Sequence, residues 1–188
     1  MMAHPPLRYT RIAITLHWIV AVLIIANVAL ALSVDHLPDA YVRPVIDTHK
    51  SVGLTVLGLV LLRLLWRLGH RPPPLPARYP AWEHLAAHAG HALLYALILA
   101  LPLSGWMHDS AWKGAAANPT QWFHLFHWPA IPWIAHQDPV TKENLHTLFG
   151  SVHTALGYGL YVLLAVHIGA ALKHQFIDKE PELQRMKF

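Results

Sequence analysis

From Ile12 to Val34 the chain carries no Asp, Glu, Lys or Arg apart from what borders the run. Coiled as a helix, that run is about 35 Å long, enough to cross a hydrocarbon core of about 30 Å. It is too long for the apolar stretch of a secretory signal and lacks a small-residue cleavage site, so it predicts a retained membrane helix. Three further apolar runs follow, and hydrophobic residues reach 55% against 13% charged. Such a composition belongs in a bilayer. The expected fold is all-α: a four-helix transmembrane bundle forming a single membrane-embedded domain over 1–188, with helices at about 12–34, 45–68, 81–107 and 143–176 and no internal repeat.

The connectors complete this outline. Asp35 to Asp47 reads as a charged turn, with Pro44 in the first turn of the second helix. Arg63 and Arg67 are expected to snorkel from that helix towards the headgroups. Gly69 to Pro80, with Arg-Pro-Pro-Pro-Leu-Pro, predicts an extended connector. The stretch from His108 to Lys142 holds Trp112, Trp122, Trp128 and Trp133, which predicts a lid lying on the bilayer surface. Of the 14 Lys and Arg residues, ten fall on the side of the two termini and four on the other. The excess places both termini in the cytoplasm.

With no cysteine among the 188 residues, thiolate-ligated clusters and covalently attached c-type haem are excluded. No nucleic-acid-binding motif is present. Metal chemistry would have to run through the 16 histidines. The last apolar run, Leu145 to Lys173, carries His146, His153 and His167, with His174 just beyond. His153 and His167 are separated by about 21 Å of helical rise and fall about 40° short of whole turns, so they share one face at two depths. Ionisable residues inside a membrane span mark a functional site by default. His17 lies six residues after Arg11 and His167 six before Lys173, so both sit at one depth on the cytoplasmic half. His49 and His153 meet on the outer half. Zinc takes four ligands, or three and a water, which two imidazoles per level do not supply. Two haem irons, each taking one imidazole on either face, match two pairs. A small residue follows each proposed ligand by one turn: Ala21, Gly53, Gly157 and Ala171.

Several motifs together resemble the bacterial cytochrome b561 family, whose relatives include the cytochrome b subunits of formate dehydrogenases and hydrogenases. They are Leu-His17-Trp, His49-Lys-Ser-Val-Gly, Ala-His88-Ala-Gly-His91-Ala-Leu-Leu-Tyr, Leu-Pro-Leu-Ser-Gly-Trp, and His167-Ile-Gly-Ala-Ala-Leu-Lys-His174-Gln-Phe-Ile-Asp-Lys. The resemblance implies two b-type haems in a bacterial inner membrane, one held by His17 and His167 and the other by His49 and His153. It also implies quinone near the cytoplasmic haem, where His174, His88 and His91 are candidates to bond its carbonyls. His88 or His91 has alternative roles, on a haem propionate or in place of His17. Superoxide is an implied candidate donor, with Arg43 and Lys50 placed to steer an anion towards His49, or serving simply as interfacial anchors. The expected function is electron transfer from a periplasmic donor to the quinone pool, as a superoxide:quinone oxidoreductase if the donor is superoxide. The alternative is a haem-carrying anchor for a partner dehydrogenase. A haem-free transporter would be expected to show inverted repeats and broken helices, and the sequence shows neither.

Overall fold

A computed structural model describes residues 8–188. The polar segment before them, expected on the cytoplasmic side, lies outside the described residues. The elements are α1 (Arg11–Ser33), α2 (Asp39–Gly69), α3 (Ala81–Ala111), a two-residue pair β1 (Gln121–Trp122) and β2 (Phe126–His127), short α4 (Pro132–Ala135) and α5 (Pro139–Leu172). Helices α1, α2, α3 and α5 are each long and apolar enough to cross a membrane. This is the expected all-α transmembrane bundle.

Three helix ends differ from expectation. α2 starts at Asp39 and takes in most of the supposed turn, with Pro44 inside it. The early turns are held by Arg43 bonded to Asp47 at 3.0 Å and Thr48 to the Pro44 carbonyl at 2.8 Å. α5 starts at Pro139 because Asp138 caps it, accepting from Val140 and Thr141 N–H groups at 3.0 and 3.1 Å. α3 runs on past Met107 to Ala111, where Ser110 returns a hydrogen bond to the Trp106 carbonyl at 2.7 Å.

The helices pack in the order α1, α2, α3, α5, and α1 scarcely touches α5. Val20 and Ile24 of α1, Val52, Val56 and Val60 of α2, Leu94 of α3 and Leu160 of α5 form a thin core. Large apolar side chains such as Val22, Leu65 and Val162 face outward, as a lipid solvent requires. Arg63 and Arg67 do not simply snorkel: both guanidinium groups lie over the Tyr95 ring of α3, at 5.5 and 5.7 Å from its centroid, where the ring face compensates lost hydration.

α3 and α5 share a reciprocal contact. Each carries Gly-x-x-His, Gly105 with His108 and Gly150 with His153. A Cβ on Gly105 would meet the His153 ring at 3.2 Å, and one on Gly150 the His108 ring at 2.9 Å. At Gly150 a larger residue would force the His108 ring to shift, and at Gly105 it would crowd the His153 ring, because an imidazole from the other helix lies against each backbone.

The Trp-rich connector is docked onto the bundle as a cap. Phe123 and His124 take φ of 46° and 59° in the turn between β1 and β2, a conformation costly for non-glycine residues. The compensation comes from α2. The Ser51 hydroxyl accepts from Phe123 N–H at 3.0 Å and reaches the Gln121 carbonyl at 3.1 Å, while Trp122 Nε1 donates to Thr55 Oγ1 at 3.1 Å. Trp106 Nε1 donates to the Pro129 carbonyl at 2.8 Å, and Ile134 is wholly buried. Trp133 remains exposed.

At the terminal end, Lys173–Ile177 form a π turn and the chain folds back through a 3₁₀ turn at Leu183–Met186. Met186 accepts from Trp18 Nε1 at 2.9 Å and Arg185 from Tyr9 N–H at 3.3 Å, both through backbone carbonyls. The tail thus covers the start of α1.

Candidate functional site

At the end of the bundle far from the termini, α2 brings His49 and α5 brings His153 together, with ring centroids 6.2 Å apart and planes at 85°. His49 Nδ1 lies 3.1 Å from the Asn27 carbonyl of α1. His153 Nδ1 lies 3.1 Å from the Leu101 carbonyl and 3.0 Å from Ser104 Oγ, on α3. Carbonyls only accept, so each Nδ1 carries the proton and each Nε2 keeps its lone pair. This is the arrangement in which a metal-ligating histidine is normally held. Neither Nε2 has a hydrogen-bond partner among the described residues, and neither is sealed off.

At the terminal end the second pair is His17 of α1 and His167 of α5, with centroids 6.4 Å apart and planes at 70°. His17 Nδ1 is buried without a partner. His91 of α3 adds a third imidazole, 5.8 Å from His167. His88 points its Nδ1 at the His84 carbonyl of its own helix, at 2.7 Å. His174 belongs to the tail: its Nδ1 is 2.7 Å from Asp178 Oδ2, and its ring stacks on Tyr79 at 4.7 Å. Lys173, ahead of His174, holds the Asp178 carboxyl below its usual range. Burial, then the neighbouring Glu182 carboxylate, pushes the Tyr79 phenol up. The structure therefore joins His17, His167 and His91 at one level and leaves His88 and His174 in separate hydrogen-bonded settings.

Both pairs fit a haem iron. Two imidazole–metal bonds of about 2 Å, with about 1.1 Å from each nitrogen to its ring centroid, span about 6.2 Å. Around His49 and His153 lies a cavity of about 500 Å³, with Asn27, Gly53, Gly105, Gly157 and Trp128 in its wall. That is within the size range of cofactor sites. Asn27 Oδ1 and Trp128 Nε1 in this wall are buried without partners, as expected of groups that await a polar substituent. Among the described residues no three His, Asp or Glu side chains form a metal site without such a group.

The cations near His49 are compensated. Lys50 pairs with Asp109, which also accepts from Thr120, and lies 4.0 Å from Asp47. Arg43 bonds Asp47 and lies 5.1 Å from the Trp112 ring centroid. Their field on an approaching anion is correspondingly reduced. Sequence reasoning does not single out Asn27, Ser104 or His108. The repeated Gly-x-x-His on two helices is the signal that could have found His108.

Residues 8–188 match the family described as prokaryotic cytochrome b561. The chain is 34% identical over 187 residues to cytochrome b561 homolog 2 of Escherichia coli (strain K12), covering 96% of this chain and 92% of that protein. It is 27% identical over 181 residues to cytochrome b561 homolog 1 of the same organism, covering 95% and 96%. Similarity to the probable superoxide oxidase CybB of Yersinia pestis is 26% over 183 residues, 95% of each. With four spanning helices and a family match over all the described residues, the chain belongs to the prokaryotic cytochrome b561 family, as a membrane haem b protein of electron transfer.

Proposed function

We propose that this chain carries electrons across a bacterial inner membrane through two b-type haems, one between His49 and His153 and one between His17 and His167, and delivers them to quinone. The observation that carries this reading is the spacing of the two imidazole pairs, 6.2 and 6.4 Å. The haems, when bound, supply the one-electron chemistry. The chain's own part is positional. The Asn27 and Leu101 carbonyls fix the tautomers of His49 and His153, and the apolar helices exclude water. On α5 the two levels lie about 21 Å apart along the axis.

With the terminal end in the cytoplasm, as the Lys and Arg distribution favours, the His49/His153 level faces the periplasmic donor. The relative named as a probable superoxide oxidase supports superoxide as that donor. Because Lys50 and Arg43 are ion-paired, such a donor would arrive by diffusion with little electrostatic steering. Quinone reduction belongs at the cytoplasmic level, with His91 nearest His167 and His174 at the tail.

A pyridine haemochrome assay on detergent-purified protein tests the reading. Two haems b per chain are expected, and a count of one or none overturns it. His174→Ala is expected to keep both haems and slow quinone reduction by roughly tenfold, the worth of one well-placed hydrogen bond. Asp178→Asn is the control, since it loosens the same tail contact and keeps the imidazole. Equal slowing in both variants would make His174 a structural residue, and an unchanged rate would remove it from the quinone site.

A further inference from the structure

A second pair of histidines at the far end is arranged differently from the two above. His108 of α3 and His146 of α5 stack face to face, with centroids 3.9 Å apart and planes 13° from parallel. Each bonds the other's backbone: His108 Nδ1 to the His146 carbonyl at 2.9 Å, and His146 Nδ1 to the His108 carbonyl at 3.0 Å. Gly150 leaves the room for the His108 ring. Face-to-face rings at this distance leave no space for an iron between them.

The carbonyls use the Nδ1–H groups, which leaves each Nε2 as the acceptor of its ring in the uncharged tautomer. Neither Nε2 has a hydrogen-bond partner among the described residues, and neither is sealed off. Both rings line a shallow, open cleft on the bundle surface, of about 520 Å³, whose wall continues along α5 through Thr147, Ser151, Thr154 and Tyr158. Ser151, Thr154 and Tyr158 are exposed on the outside of the bundle, so a ligand enters from the bilayer. Thr154, Tyr158 and His108 also line the cavity around His49 and His153, so the two spaces adjoin.

These features narrow the ligand. The two imidazole acceptors select a molecule that brings an O–H group, and the Thr147, Thr154 and Tyr158 hydroxyls along the wall can bond its oxygen in turn. Two imidazoles do not meet the three or four ligands of a structural or catalytic zinc site. The flat stack and the Tyr158 ring favour an aromatic body, and entry from lipid favours an alkyl tail. We propose that the His108–His146 cleft binds a membrane-soluble phenolic ring, of the hydroquinone class, at the end of the bundle opposite the tail. This site is additional to the quinone site placed near His91 and His174, and it does not depend on which histidines hold haem.

The test uses the full haem-loaded chain in quinone-free nanodiscs. A decyl-substituted fluorophenol, whose single hydroxyl makes it a poor redox substrate, is titrated in and followed by fluorine NMR. Saturable binding is expected, weakened roughly tenfold in His146→Phe, which keeps a flat ring and loses the acceptor. Ser151→Leu, which fills the cleft from the exposed face without touching the stack, is expected to abolish it. Both variants should keep the parent's haem count. Binding that never saturates, or is unchanged in Ser151→Leu, overturns the proposal. So does loss of a haem in Ser151→Leu, because the cleft then belongs to the haem pocket. Binding lost in His174→Ala but kept in Ser151→Leu also overturns it, by placing the ring at the terminal end. None of these binding results alters the haem count expected above, so the two readings fail separately.

Discussion

His49→Ala and His153→Ala should each remove one haem, and the same one, halving the reduced-minus-oxidised absorbance of the purified protein. His17→Ala and His167→Ala should each remove the other. The expectation follows from chain origin: each pair draws its imidazoles from two helices, α2 with α5 and α1 with α5. Were haem bound there, each imidazole of a pair would supply one of its two specific protein contacts, so removing either would remove half of what holds the group. The far-end pair is the more sharply determined, because both Nδ1 atoms are fixed by carbonyls. The terminal pair has a built-in competitor, His91, 5.8 Å from His167. If His17→Ala keeps both haems and His91→Ala loses one, His91 is the ligand and the pairing of His17 with His167 fails. Two different haems lost within either pair would break the scheme altogether. Optical spectra with redox titration of each variant read the result directly.

Arg185→Met should release the tail while leaving the spans intact. Arg185 is only 7% exposed although it lies eleven residues beyond His174. Its guanidinium donates to both Glu182 oxygens at 3.2 and 3.3 Å and to the Pro74 carbonyl at 2.6 Å, so it joins the tail to the α2–α3 connector. Glu182 also accepts from Tyr79 at 3.1 Å, and Arg78 pairs with Glu180. Removing a buried hydrogen-bonded cation costs about 2–3 kcal/mol of local docking. At about 1.4 kcal/mol per factor of ten, that is roughly a 30- to 140-fold rise in the open tail population. Trypsin cleavage after Lys179, in the regime where opening and closing outpace cleavage, should accelerate by that factor. Haem content and thermal unfolding of the bundle should stay at parent values. An unchanged cleavage rate would show that the tail is held by its other contacts.

Hydropathy makes the four spans legible, and depth arithmetic from Arg11 and Lys173 places His17 and His167 at one level. Both arguments rest on the bilayer as a fixed ruler. The ruler says nothing about where a helix starts outside it, which is why the starts at Asp39 and Pro139 are hidden from it: a proline at 44 is tolerated when Arg43 and Thr48 brace the turns around it. The turn at Phe123 and His124 carries none of the glycine or asparagine that normally marks left-handed backbone. Its support, Ser51, lies 72 residues away in the chain. The stack of His108 on His146 is likewise out of reach, since it depends on how α3 and α5 register through two glycines. His174 does lie near His167 along the chain, but the π turn and Asp178 direct its ring to Tyr79.

The slight contact between α1 and α5 bears on how the protein matures. α2 and α3 hold the other faces, and α1 meets α5 through the His17 and His167 rings, 6.4 Å apart, so this seam is the most lightly packed side of the bundle. A flat cofactor entering along that seam would need no loop to be unthreaded. The tail crosses that seam as well, through Trp18 to Met186 and Tyr9 to Arg185. The tail is therefore a latch over the start of α1, tied there by main-chain carbonyls rather than by side chains of its own.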